Sequence, residues 1–277
     1  MDKYFPIISV PTDYETEGLW PHKETDLFCV ATEEMAFTLL ARKVPAEKII
    51  VTGLPVSKNY ATSYPKLKTR EDLGLPKNKK IALIIAGANA SGPYKNMRKT
   101  LNGCIKYFAD MDWLHFVFCV GNDADYANKL MKKANKFNAK NISIMTYTDK
   151  LPQFMAASDI AILKPGGLII TECANANLPI LLIGKTYAQE SINRRYFVSF
   201  GAANHTVTYA GTIRLICDVL SDKERYKRLK TNVTRISNNH AAKKISDACI
   251  KVTEASQPIT SRSKISIYLG NRPVHTR

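Results

Sequence analysis

The stretch KPGGLIITE, Lys164 to Glu172, holds the residue types best suited to chemistry. It follows an apolar run and opens a helical pattern. Gly166 and Gly167 would leave a helix N-terminus bare, with free N–H donors and a partial positive charge that suit a diphosphate. Glu172 falls in the second turn, where its carboxylate could accept hydrogen bonds from both hydroxyls of a ribose. The alternative is a glutamate placed near a helix start for the dipole alone, and spacing does not separate the two. Gln189, Glu190 and Asn193 come just after the next apolar run. They could read the hydroxyls of a hexose, or they could be the ordinary caps of a polar helix start.

The runs that would position these side chains are IIVTG (49–53), IALIIAG (81–87), HFVFCVG (115–121), ISIMTY (142–147), IAILKPG (160–166) and PILLIG (179–184). Between most of them lie amphipathic segments such as Asp123–Phe137 and Leu151–Ala157. Runs without polar alternation predict strands buried on both faces, hence a parallel sheet covered by helices. Repeated strand–helix units make this a doubly wound α/β domain. Gly53, Gly87, Gly121, Gly166 and Gly184 close five of the runs, at the carboxyl ends where such sheets bind ligands. A single glycine there says little, because turns need glycine. Five at one edge suggest backbone approaching a phosphate.

Residues 1–56 read as a strand (Phe5–Val10), a loop, a strand (Leu27–Ala31) and a helix (Glu33–Lys43). Thr32 is the expected N-cap, with Glu33 and Glu34 placed for the helix dipole. Two strands and one helix cannot bury their faces alone, so the segment reads as the last piece of a further domain. After about Asp222 the chain is helical and basic. The expected units are 1–56, a ligand-binding domain 57–235, a C-terminal helix 236–255 and a flexible basic tail 256–277 that lacks acidic residues.

The formal net charge is +16. Residues 1–56 carry five Lys/Arg against nine Asp/Glu, so the remainder carries 35 against 15. That surplus calls for an anionic partner: a phosphorylated ligand, an anionic membrane surface or nucleic acid. No nucleic-acid motif and no interleaved aromatic–basic stripe is present, which argues against the last. No window approaches 18 uninterrupted apolar residues and no basic stretch precedes a long apolar run, so neither a membrane span nor a signal peptide is expected. The six cysteines form no CxxC pair, and four sit in apolar runs, as buried free thiols would. The five histidines lack metal-ligand spacing. Asp123-Ala124-Asp125 spells DxD but opens a helix after a strand, so capping is expected. Gly184-Lys185-Thr186 mimics the end of a P-loop, whose first glycine would fall on Pro179.

Taken in order, TDY (12–14), the W-x-H at Trp20–His22, TGLPV (52–56), AGANASG (86–92), GND (121–123), KPGG–TE (164–172) and QE–N (189–193) resemble the family 28 glycosyltransferases. The resemblance is stronger to the diacylglycerol enzymes, monogalactosyldiacylglycerol synthase and the processive diacylglycerol glucosyltransferases, than to the peptidoglycan lipid-intermediate N-acetylglucosaminyltransferases. It runs from about Val10 to about Leu229. It implies the GT-B fold: the C-terminal Rossmann-like domain, a parallel sheet with helices on both faces, plus a remnant of the N-terminal acceptor domain. It implies a hexosyltransferase that carries a hexose from a UDP-sugar to a lipid such as diacylglycerol, with inversion and without a metal or other cofactor. The expected place is the cytoplasmic face of a membrane, peripherally bound to anionic lipid.

Carried over by position, Glu172 would hold the ribose, within the motif that also contains Thr171. Gln189, Glu190 and Asn193 would contact the sugar. The loop with Gly87, Ala88, Asn89 and Gly92 would lie against the diphosphate, with Gly166 and Gly167 opposite. Tyr147 and Thr148 would sit beside the uracil, and Lys164 would cover the site. The family's glycine-rich loop with a histidine, its acceptor site and its base belong to an N-terminal region of which only the last strands are expected here. The histidine of the family's TDY-x-x-H-x-x-W pattern is replaced by Glu17. The sequence therefore identifies no catalytic base; Asp13 and His22 are the candidates, each with plain loop structure as the alternative. The implied function needs a separately encoded N-terminal half, or some residual activity of this chain alone. The competing reading is a UDP-sugar-binding module without turnover.

Overall fold

The computed structural model describes residues 5–15, 21–60, 62–87 and 93–255. The expected tail, 256–277, lies outside them. The apolar runs pair as parallel strands in two sheets. The first sheet contains β1 (Ile8–Ser9), β2 (Leu27–Val30) and β3 (Ile49–Val51), in that order. Helix α1 (Glu33–Ala41) starts where its residue types require: the Thr32 hydroxyl accepts from Met35 N at 3.3 Å, and Glu33 and Glu34 fill the first turn. Residue parity then sorts the sheet's faces. Phe28 and Val30 pack against Met35 and Leu39 of α1.

After α2 (Lys66–Asp72), the second sheet is built from β4 (Lys80–Ile85), β5 (Leu114–Cys119), β6 (Ile142–Met145), β7 (Ile160–Leu163), β8 (Ile180–Ile183) and β9 (Ala203–Thr206). The order is β6-β5-β4-β7-β8-β9, all parallel. In order of occurrence that is 3-2-1-4-5-6, the doubly wound arrangement. The helices between these strands are α3 (Pro93–Ala109), α4 (Ala124–Lys136), α5 (Leu151–Ala157), α6 (Gly167–Asn175) and α7 (Gln189–Ser199), followed by α8 (Tyr209–Ser221), α9 (Lys223–Ile236) and α10 (Ala241–Ala255). Successive strand residues point to opposite faces. Ile84, Phe116, Phe118 and Ile162 meet Leu101 of α3, Leu130 of α4 and Ile216 of α8. Leu83, Val117, Leu163 and Leu182 meet Phe154 of α5, Ile170 of α6 and Phe197 of α7.

Three features depart from the sequence pattern. Strand β1 spans only Ile8–Ser9, and Ile7 N donates to the Asp26 carboxylate at 2.9 Å. Strand β9 is a polar edge strand, ANHT, without an apolar run. Helix α10 leaves the second sheet and packs on the first: Ala248, with Ile245 and Val252, covers Leu27 and Cys29. The turn before α10 is bound to both sheets. Asn238 Nδ2 donates to Thr52 O at the end of β3 (2.9 Å), and Asn238 N donates to Asn175 Oδ1 on α6 (3.0 Å). All six cysteines are free, four of them buried. Among the described residues no helix is long and apolar enough to cross a membrane, and no three His, Cys, Asp or Glu side chains gather as a metal site would need.

A buried ion pair fixes the amino edge of the second sheet. Asp159, just before β7, accepts from Lys66 Nζ (2.7 Å), Arg70 Nη2 (2.8 Å) and Ile81 N (2.7 Å). Arg70 also donates to Ala157 O (2.9 Å) and Lys79 O (3.0 Å). Burial alone raises the Asp159 pKa; Lys66, the Ile81 amide and Arg70 outweigh it and hold the carboxyl below its ordinary value. The depressed pKa places the lost stability on the acid side, below the ordinary carboxylate range, while the full contribution is present at neutral pH. Asp159→Ala leaves Arg70 buried without its charge partner. It is expected to cost on the order of 3–5 kcal/mol by urea denaturation at pH 7, and the gap between the two proteins should narrow as the pH falls toward 3.

Candidate functional site

The strand order opens a crevice. Neighbours β4 and β7 send their following helices to opposite faces, α3 to one and α6 to the other. Ligands of such sheets bind at this point, outside the strands' carboxyl ends. Ala86 and Gly87 follow β4, and Lys164 to Gly167 follow β7. Residues 88–92, which include Ala88, Asn89 and Gly92, lie outside the described residues. A Cβ on Gly87 would stand 2.7 Å from Gly121 N, so the turns after β4 and β5 can pack only with glycine here.

The α6 N-terminus is bare. Gly166 is its N-cap in extended conformation and supplies no side-chain cap, so the helix dipole points into the crevice with uncapped N–H groups. Glu172, further along α6, is partly buried. Burial pushes its carboxyl up to about 7, against a hydrogen bond from Tyr60 that works in the other direction. Tyr60 belongs to a short helical turn, Lys58–Tyr60, between the two sheets. Its phenol is raised first by burial, then by the neighbouring Glu172 carboxylate. Tyr147 is 72% exposed. Thr148 accepts from Lys150 N at 3.1 Å, ahead of α5.

Past β8 the chain enters α7 through Ala188, whose φ of 45° and ψ of −129° are strained for a side-chain-bearing residue. That turn aims Glu190 at Lys164, and the two form a buried ion pair. Burial lowers the Lys164 pKa, and the nearby Asp13 carboxylate opposes the shift. Glu190 Oε2 is buried with no hydrogen-bond partner among the described residues. Asp13, Lys164 and Glu190 thus form an alternating charge cluster beside the helix start. Gln189 sits at the first position of α7.

Asn193 has a different place from the one expected. It is fully buried, and its amide is used by protein: Oδ1 accepts from Tyr14 N (2.8 Å), and Nδ2 donates to Asp13 Oδ1 (2.6 Å) and Pro165 O (3.0 Å). In this conformation it faces no open space where a hexose could sit. Thr171 is likewise engaged. Its hydroxyl donates to Gly167 O (2.7 Å) and therefore accepts from Tyr14 OH (2.9 Å). The Tyr14 ring stacks on Tyr196 at 4.6 Å and meets Phe197 edge-on at 5.4 Å. The Cα of Gly167 faces the backbone of Thr12 and Asp13 with no space for a Cβ. Gly167, Thr171 and Asn193 therefore seat the 12–14 segment on α6 and α7. Sequence reasoning missed Tyr14, Tyr60 and Tyr196; the TDY block was the visible signal for the first.

The two catalytic candidates are not brought together. Asp13 reaches the α6–α7 cluster. His22 is exposed, in a turn closed by Thr25 N to His22 O (3.1 Å) that leads into the amino end of β2. Asp123 caps α4, accepting from Tyr126 N at 2.9 Å and pairing with Arg98 at 2.6 Å, so the DxD letters are structural.

Residues 95–249 match the glycosyltransferase family 28 C-terminal domain, and residues 2–56 match monogalactosyldiacylglycerol synthase. A processive diacylglycerol β-glucosyltransferase from Bacillus pumilus is 26% identical over 91% of the chain and 64% of its own length. That of Bacillus subtilis is 24% identical over 96% of the chain and 67% of its length. The chain thus spans about two thirds of these relatives. The UDP-GlcNAc 2-epimerase from Neisseria meningitidis, solved with UDP-GlcNAc bound, superposes with a TM-score of 0.67 at 20% identity, over 89% of this chain and 69% of its own. A glycosyltransferase from Rickettsia africae superposes with a TM-score of 0.54 at 16% identity, over 83% and 64%. These likenesses give the GT-B architecture, a Rossmann-like C-terminal domain with part of an N-terminal one. Because the matched domain covers more than half of its length, the chain belongs to glycosyltransferase family 28.

Proposed function

We propose that the chain provides the donor side of a transferase that moves a hexose from a UDP-sugar to a lipid acceptor such as diacylglycerol. The observation that carries this reading is the uncapped α6 N-terminus at the β4/β7 crevice, with Glu172 further along the same helix. The diphosphate would lie on the N–H groups of Gly166 and its neighbours, and Glu172 would accept from the ribose hydroxyls. Tyr147 and Thr148 would flank the uracil. Gln189, Glu190 and Lys164 would face the hexose. The helix dipole and backbone donors would stabilise the departing UDP, so the displacement would need no metal; a single direct attack by the acceptor oxygen, forming the new glycosidic bond as the bond to UDP breaks, would invert the anomeric carbon. The acceptor hydroxyl would lose its proton to a base. Asp13, held beside Lys164, is the better placed of the two candidates. The acceptor side would be completed by the N-terminal region that the relatives carry, and the lipid acceptor would bring the protein to the membrane surface.

A second reading, a UDP-sugar-binding module without turnover, is favoured by one feature. The Asp13 carboxylate is already hydrogen-bonded by Asn193. Incubation with labelled UDP-hexose and diacylglycerol, with the N-terminal region of a relative supplied in trans, separates the two. Labelled glycolipid, formed equally with and without EDTA, is expected. UDP binding with no product would leave the second reading.

Glu172→Ala is expected to weaken UDP binding by about 30-fold, on the order of 2 kcal/mol for lost bonds to a charged acceptor. A 2′,3′-dideoxy UDP analogue should bind both proteins alike. With its pKa near 7, Glu172 gains charge between pH 6 and 8. UDP affinity should therefore rise across that interval and be flat in Glu172→Ala. For a carboxyl raised on folding, the linked stability is full at low pH and is lost as the pH climbs through that value. The unliganded chain should accordingly melt at a lower temperature at pH 8 than Glu172→Gln does.

A further inference from the structure

We propose that the groove between α3 and α4 is the surface that docks this protein on an anionic lipid bilayer. The inference rests on the lipid-transferase reading above and assigns a face to the membrane contact. The groove is open, about 750 Å³, and its walls carry Lys95, Arg98, Lys99, Lys129 and Lys133 around Tyr126. Helix α3 holds four basic residues and no acidic one, and α4 holds four against Asp125. The second carboxylate at the groove, Asp123, is neutralised by Arg98 at 2.6 Å. Arg98 also lies over the Tyr126 ring, 4.2 Å from its centroid. Lys95, Lys99 and Lys129 are exposed and form no ion pair among the described residues. Their charge is left to face solvent or a partner.

Two observations favour a bilayer over a nucleic acid. The groove is flanked by amphipathic aromatics. Gly103, on its wall, lies against Tyr209, whose ring stacks with Tyr107 at 6.1 Å. Tyr209 and Tyr107 are 49% and 44% exposed. Tyrosine with a wet tip and an apolar body suits the headgroup region of a membrane. The groove also opens at the right edge. Helices α3 and α4 start from the carboxyl ends of β4 and β5, beside the crevice. A bilayer held there lies next to the site where a lipid hydroxyl must meet the donor sugar. Lysines can reach phosphate oxygens of several headgroups at once, and their pull falls off within a Debye length.

The test is sedimentation with vesicles of phosphatidylcholine, alone or mixed with phosphatidylglycerol, at physiological ionic strength. The triple variant Lys95→Gln, Lys99→Gln, Lys129→Gln is compared with a triple on α9, Lys223→Gln, Lys227→Gln, Arg228→Gln, which removes the same charge from exposed positions elsewhere. At about 5-fold per lysine near an anionic surface, the α3/α4 triple should bind mixed vesicles about 100-fold more weakly. The α9 triple should lose far less, and both should keep the parent's UDP affinity. Equal losses in the two triples would mean diffuse charge and overturn the assignment. So would a parent chain that binds UDP but ignores anionic vesicles, or one whose duplex-DNA binding, rather than vesicle binding, is removed by the α3/α4 triple. A folded parent that binds no UDP would instead remove the transferase reading on which the inference rests.

Discussion

The candidate site depends on one topological constraint: β4 and β7 are neighbours in a parallel sheet, yet their helices leave on opposite faces. No side chain closes the gap between two helices that diverge, so the carboxyl ends of those strands must leave a crevice. The crevice can bind an anion because α6 begins there without a side-chain cap. The opposite edge of the sheet is held by Asp159, whose carboxylate gathers α2, the first residues of β4 and the start of β7. A rigid amino edge lets the carboxyl edge tolerate strain, as at Ala188, and partly buried charge, as at Glu172 and Lys164. Such placements oppose stability and are common where a site must meet a ligand.

The second constraint is long-range. Asn193 satisfies the Tyr14 amide, the Asp13 carboxylate and the Pro165 carbonyl with one buried side chain. Together with Tyr14 stacked on Tyr196, it seats the loop that follows β1 on α6 and α7. The Asn238 bonds to Thr52 and Asn175 form another tie between the same two bodies. The donor motif and the contact between sheets are therefore one structure. Three residues of the motif, Gly167, Thr171 and Asn193, serve the contact in this conformation. Any rearrangement that frees Asn193 for a sugar must also release Tyr14.

What the sequence made legible follows from the range of the forces involved. The Thr32 cap, the strand runs and the glycine turns are local, and each is written in consecutive residues. The bare α6 start could be read from KPGG because glycine there leaves no capping group. The role of Asn193 could not be read, because its partners lie 179 and 180 residues away. Strand β9 was hidden because a polar edge strand has no apolar run to mark it. Helix α10 showed a helical pattern but not its address, since an apolar stripe does not say which sheet it covers. The Tyr60–Glu172 contact was invisible for the same reason, although it bears directly on the carboxyl proposed to hold the ribose.

The central claim is that the β4/β7 crevice binds a UDP-sugar. Isothermal titration of the folded chain with UDP-glucose, UDP-galactose and UDP-N-acetylglucosamine tests it most directly. The account predicts saturable one-site binding of at least one of the three, competed by UDP and unchanged by EDTA. A folded chain that shows no saturable binding to any of them, or to UDP itself, would contradict it.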